Sequence, residues 1–130
     1  GLGGIPEVSL IGWVANVADC YQTADAAVVP LRAAGGTRIK LIEAFSFRRP
    51  VVSTTLGAEG LPVTHGQHLL LADDPEGLAI QCLRLMDDPV LAESLAERAY
   101  RLFEERYSID AVARAFAPGF DAAGSSPAAR

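Results

Sequence analysis

No apolar run in the 130-residue chain approaches the roughly 20 residues that span a bilayer, which places the sequence among soluble globular chains. Positive charge is in short supply: 11 Lys and Arg stand against 16 Asp and Glu, giving a net charge of -5 and a pI near 4.9. There is no broad basic field for nucleic acid, so a phosphate-bearing ligand has to be held by a local device. Cysteine is scarce. Cys20 and Cys82 each lie in a helix-like pattern without metal-ligand spacing, and reduced, buried thiols are expected. His65 and His68 have no third ligand nearby and read as loop residues, so no metal is expected. No signal peptide opens the chain, which makes a cytoplasmic setting the expectation, although "GLGGIP" reads as a loop rather than a natural start.

What the sequence does contain is an alternation of short apolar runs and amphipathic segments. Val8–Ile11, ended by Gly12, reads as a strand, and Val17–Ala24 as a short helix. Ala26–Val29 is a second strand, stopped by Pro30, which cannot donate to a sheet ladder. Thr37–Phe47 reads as a helix with Ile39, Ile42 and Phe45/Ser46 near one face and Lys40 and Glu43 turned off it. Strands at Val51–Thr54 and Leu69–Ala72 follow. Asp74 and Pro75 form a capped helix start, with Leu78, Cys82, Leu85 and Met86 as the buried face. Pro89 opens a helix carrying Leu91, Leu95, Ala99, Leu102 and Phe103 as far as Tyr107, and Ser108 caps a last one from Ile109 to about residue 117. The composition from Asp121 to Arg130 is that of a disordered tail. Such alternation predicts an α/β fold, a three-layer Rossmann-like parallel sheet flanked by helices. One domain over residues 1–120 is expected, with ligands beyond the carboxyl ends of the strands.

The loop "RAAGG", Arg32–Gly36, lies there, between a strand and a helix start. Gly35 and Gly36 permit close backbone approach, and the first turn of the helix presents free N–H groups with a partial positive charge. Thr37 can cap the helix or donate its hydroxyl, and Arg32, Arg38 or Lys40 can add charge. The plain alternative is a glycine-rich turn with Lys40 and Glu43 as a surface i,i+3 pair. The spacing is neither GxGxxG nor GxxxxGK[ST].

At "LIGWVANVADCYQTADAAVVPLRAAGGTRIKLIEAFSFRRPVVSTTLGAEGL", continuing through "HLLLADDP" and "EERYS", the chain resembles the carboxyl-terminal, donor-binding half of family 4 glycosyltransferases, enzymes of the GT-B fold that use nucleotide sugars. "PLRAAGGTRIKLIEA" matches the branch whose motif reads proline, leucine, basic residue, glycine pair, then lysine and Glu-Ala. The resemblance implies that Glu43 accepts hydrogen bonds from the ribose hydroxyls, a task suited to an acceptor-only carboxylate. It implies that Gly35, Gly36 and Thr37 meet the diphosphate and sugar, aided by Arg38 or Lys40, and that Gly12, Trp13 and Val14 line the base pocket. Trp13 reads either as a core anchor or as a stacking platform for the base. The implied activity is retaining transfer from a nucleotide-diphosphate sugar to a glycan or lipid acceptor, with no cofactor and no obligatory metal. For the complete enzyme the resemblance implies polysaccharide or glycolipid synthesis and peripheral association with the inner face of the membrane.

The departures carry their own expectations. Many relatives have a further glutamate where this sequence has Gly35. The first strand–helix units of the donor domain, with their diphosphate-binding arginine and lysine, and the amino-terminal acceptor domain have no counterpart here, so a fragment is expected, inactive alone. Val8–Ile11 must then re-pair, or an open sheet edge remains and invites self-association. The alternative function is a noncatalytic α/β nucleotide-sugar-binding or interaction module. A phospho-receiver domain suggested by "LLLADDP" fails because no lysine follows Asp74, and Ser53, Thr54 and Thr55 have no recognisable histidine base.

Overall fold

The computed structural model describes residues 4–33 and 38–123. The elements run α1 (Val17–Thr23), β1 (Ala27–Val29), α2 (Arg38–Ser46), β2 (Val51–Ser53), β3 (Leu70–Leu71), α3 (Pro75–Asp87), α4 (Pro89–Arg106) and α5 (Ile109–Ala123). Three strands form one parallel sheet in the order β1-β2-β3, with Val28 opposite Val52 and Val52 opposite Leu70. Alternation along these strands divides the core between two faces. Val51 and Leu69 join Leu41, Ala44 and Phe45 of α2 and Ala99 and Leu102 of α4, while Val52 and Leu70 join Leu85 of α3 and Leu95 of α4. Every residue of β2 is buried, as a strand covered on both sides requires. The expected α/β architecture is present, a parallel sheet flanked by helices.

Several local expectations are corrected. Val8–Ile11 is not a strand but irregular chain with Leu10 71% and Ile11 68% exposed. An apolar run gains nothing from extension without a neighbour to complete its hydrogen bonds, and none of the described strands pairs with it. β1 therefore has a neighbour only on the β2 side among the described residues, and its outer edge is open. Ala27 and Val29 spend backbone groups on the β2 side through Ala27 N–H to the Pro50 carbonyl and Thr54 N–H to the Val29 carbonyl. The alternation of a parallel ladder then turns the Val28 N–H and C=O outward.

The buried stripe of α2 is Leu41, Ala44 and Phe45, not the stripe through Ile39, which is exposed. Both stripes have helical spacing and share Phe45, and contact with the sheet and with α4 turns Leu41 and Ala44 inward rather than Ile39. On α3, Leu85 is buried as expected, Leu78 and Cys82 are only half-buried, and Met86 is exposed. Cys20 is an exposed free thiol rather than a buried one. Helix α5 runs to Ala123, past Asp121 where the sequence reads as tail.

Helix ends follow their sequence signals. Asp74 Oδ1 accepts from Gly77 N–H at 2.6 Å and Asp88 Oδ1 from Leu91 N–H at 3.0 Å, each with proline opening the helix behind it. Ser108 Oγ accepts from Ala111 N–H at 3.1 Å. The end of α2 is different: Arg49 N–H reaches the Ala44 carbonyl and Arg48 N–H the Phe45 carbonyl, with Arg48 at φ 55. That is the Schellman arrangement, with arginine in the left-handed position that glycine usually fills.

Candidate donor-binding edge

The chain leaves β1 at Val29 and re-enters a helix at Arg38, which sets the amino end of α2 beyond the carboxyl edge of the sheet. The loops there are laced together. Thr54 Oγ1 donates to the Leu31 carbonyl at 2.7 Å and accepts from Gly57 N–H at 3.0 Å, joining the loops after β1 and β2. Asp73, after β3, accepts from Thr55 N–H at 2.7 Å and from Thr55 Oγ1 at 2.8 Å. These bonds, the backbone one first, hold the Asp73 carboxyl below its ordinary pKa. The hydroxyls of Ser53 and Thr54 both donate to carbonyls in a buried setting, so neither is presented as a nucleophile.

Glu43 projects from α2 five residues past Arg38, about 7.5 Å along the helix axis at 1.5 Å per residue. It is half-buried, and Tyr21 of α1 donates its hydroxyl to Oε1 at 2.9 Å. No other hydrogen bond to that carboxylate is found among the described residues, which leaves Oε2 open. Lys40 is exposed and does not pair with Glu43, so the surface i,i+3 pair is not formed. Tyr21 is itself fixed from two sides. Its ring stacks on Phe47 with centroids 5.0 Å apart and planes 11° apart, and its carbonyl accepts from Arg49 Nε. Burial, then the hydrogen bond and negative charge of Glu43, push the Tyr21 hydroxyl up to about 12, so the phenol stays a donor at neutral pH.

Other expected site residues are partly assembled. Arg38 opens α2 and folds across the turn after β2, where a Cβ on Gly60 would lie 2.6 Å from a guanidinium nitrogen. Gly12 takes φ 75, a conformation that favours glycine, and turns the chain after Ile11. Val14 is half-buried, and Trp13 is 87% exposed, which rules out the core-anchor reading of that side chain. Gly35, Gly36 and Thr37 lie outside the described residues, and Arg32 is exposed. The residue that sequence reasoning missed is Tyr21. A partly buried tyrosine hydroxyl needs a partner, but nothing in the spacing says that the partner lies 22 residues away.

His65 and His68 are backbone acceptors: Nδ1 of His65 takes Leu71 N–H at 2.9 Å and Nδ1 of His68 takes Thr64 N–H at 3.0 Å. Among the described residues no group of three or more His, Cys, Asp or Glu can hold a metal, and no helix is long and apolar enough to cross a membrane. A groove of about 890 Å³ opens at the amino ends of the strands between Asp25, Arg49, Leu85 and Glu93, opposite the laced loops.

Comparison with known proteins bears on the whole. No curated protein sequence matches the chain. Among solved structures, the C-terminal domain of a glycosyl transferase group 1 family protein (LpcC) from Francisella tularensis superposes with a TM-score of 0.66 at 20% identity, covering 78% of this chain and 53% of that one. The likeness is one of fold, and this chain spans about half the length of the solved domain. The family model for "Glycosyl transferases group 1" matches residues 2–88, more than half of the chain and the whole of the edge just described. The chain belongs to the group 1 glycosyltransferases.

Proposed function

We propose that this chain is the donor-binding part of a retaining, family 4 type glycosyltransferase that uses a nucleotide-diphosphate sugar. The observation that carries the reading is the Glu43 carboxylate, half-buried on α2 with one oxygen bonded by Tyr21. A fixed anion that accepts without donating suits two adjacent ribose hydroxyls. The amides of Gly35, Gly36 and Thr37, with Arg38 and Lys40, take the diphosphate. The base lies against Gly12, Trp13 and Val14, where an aromatic face 87% exposed gains contact on stacking.

In transfer, negative charge grows on the departing diphosphate as the bond to the sugar stretches. Oriented amides and cations that tighten on it at that stage lower the barrier. No metal is assigned to this step, and Glu43 binds without acting as acid or nucleophile. The acceptor, and the groups that approach the sugar from its other side, belong to a domain outside this chain, so the chain alone binds donor without turning it over.

Glu43→Gln tests the reading. Hydrogen bonds to a charged group contribute about 1.5–3 kcal/mol, so binding of the preferred nucleoside diphosphate among UDP, GDP and ADP weakens about tenfold, while inorganic phosphate is unaffected. Equal losses for both ligands contradict a ribose role. A second reading, a noncatalytic interaction module, is favoured by the exposed side chains of Leu10, Ile11 and Trp13 and by the open edge of β1 among the described residues. It predicts no binding of any nucleotide.

A further inference from the structure

We infer that Tyr21 is a positioning residue for sugar-nucleotide recognition, setting the carboxylate of Glu43 so that its open oxygen meets the vicinal diol of a ribose; this rests on the donor-site reading above. A glutamate on a helix surface has three rotatable bonds, and its planar terminus turns broadly about the last of them. Here one oxygen is claimed by a phenol 2.9 Å away, which sets the reach of the side chain and narrows the turn of the carboxylate about its last bond. The donor is held in turn by the Phe47 ring stacked on one face and by Arg49, whose guanidinium bonds the Tyr21 carbonyl. Phe47 and Arg49 belong to the turn that ends the helix carrying Glu43, and Tyr21 to the helix before β1. The carboxylate is therefore registered against α1 as well as against its own helix, and α1 is entered directly from Gly12–Val14, the segment assigned to the base.

The chemistry is consistent with positioning. A phenol whose pKa lies near 12 donates to a carboxylate without giving up its proton. Its single O–H leaves the acceptor capacity of Oε2, and the second lone pair of Oε1, for two ligand hydroxyls. A structural tyrosine would need only some acceptor. This one uses a carboxylate that has no other bond among the described residues.

The test compares wild type, Tyr21→Phe, Glu43→Gln and the double variant by calorimetric titration. The ligands are whichever of UDP, GDP and ADP binds best, its 2′,3′-dideoxy form, and inorganic diphosphate. Tyr21→Phe keeps the ring on Phe47 and removes only the hydroxyl, and a melting curve checks that the fold persists. The expected result is a fall of about three- to tenfold in the preference for the ribose over the dideoxyribose form, with dideoxynucleotide and diphosphate binding unchanged. The double variant should discriminate no less than Glu43→Gln alone. Full discrimination in Tyr21→Phe with its loss in Glu43→Gln overturns the role of Tyr21 and leaves Glu43 in place. Equal weakening of all three ligands by Tyr21→Phe also overturns it, as a general structural effect. Discrimination that survives Glu43→Gln, or wild-type protein that binds no nucleotide, removes the donor-site reading and the positioning role with it.

Discussion

Arg48 sits at the left-handed position closing α2, where a Cβ costs roughly 1–2 kcal/mol relative to the right-handed region. Its side chain offsets that cost: the guanidinium lies 4.0 Å from the Tyr100 ring centroid and 3.4 Å from Glu97. Arg48→Ala removes the contacts and keeps the strain, whereas Arg48→Gly removes both. The glycine variant should therefore be the more stable of the two by about 1 kcal/mol in urea unfolding, and the reverse order would contradict a strained position. His68 provides a pH test. Burial first, and then Arg98, lower its pKa below 6.5, so the folded state holds it neutral and its Nδ1 accepts from Thr64. The unfolded chain binds a proton near pH 6.5 and the folded chain only below that. The stabilisation is accordingly complete above pH 6.5 and lost as pH falls through the folded value. His68→Asn, which keeps an acceptor but cannot titrate, should show a shallower loss of melting temperature between pH 7.5 and 5.5, and an unchanged slope would refute the assignment. At this scale the caps Asp74 and Ser108 were legible because a cap is a local bond, whereas the Tyr21–Glu43 pair was not, because the two residues meet only through the packing of α1 against α2.

The amphipathic elements show where periodicity stops being informative. Segment 38–47 is apolar enough to carry two helical stripes, and only contact with Val51, Ala99 and Leu102 selects Leu41, Ala44 and Phe45. Removing most of a fully buried leucine costs about 2–5 kcal/mol, while an exposed truncation stays near 0.5 kcal/mol or less. Leu41→Ala should therefore lower the denaturation midpoint sharply and Ile39→Ala barely, and comparable effects would show that the helix is rotated. The run Val8–Ile11 fails for the complementary reason. Its composition is that of a strand, but a strand is a relation between two chains of backbone, and a sequence window contains only one of them. Strands β1 and β2 were legible because the crossover through α2 joins them directly.

On the scale of the molecule, the sheet is a half-open one. β1 turns Val28, 46% exposed, and its own outward amide and carbonyl toward no other strand among the described residues. The matched glycosyltransferase domain is nearly twice as long as the part this chain covers. The fold class and the carboxyl-edge position of the loops followed from alternating apolar runs and helices. The role of the edge did not, because neither the glycine pair nor a lone glutamate is specific by spacing; the family match places the chain among the group 1 glycosyltransferases and assigns no residue of the edge a task.

The central claim is that the loop after β1, the amino end of α2 and the turn at Gly12 together hold a nucleoside diphosphate. It is tested most directly by recording backbone amide spectra of the labelled chain during titration with UDP, GDP and ADP. The account predicts that one nucleotide moves the amides of Gly12–Val14 and of Gly35–Thr37 together, with the same saturation. Shifts confined to the opposite groove around Asp25, Arg49 and Glu93, or none with any nucleotide, would contradict it.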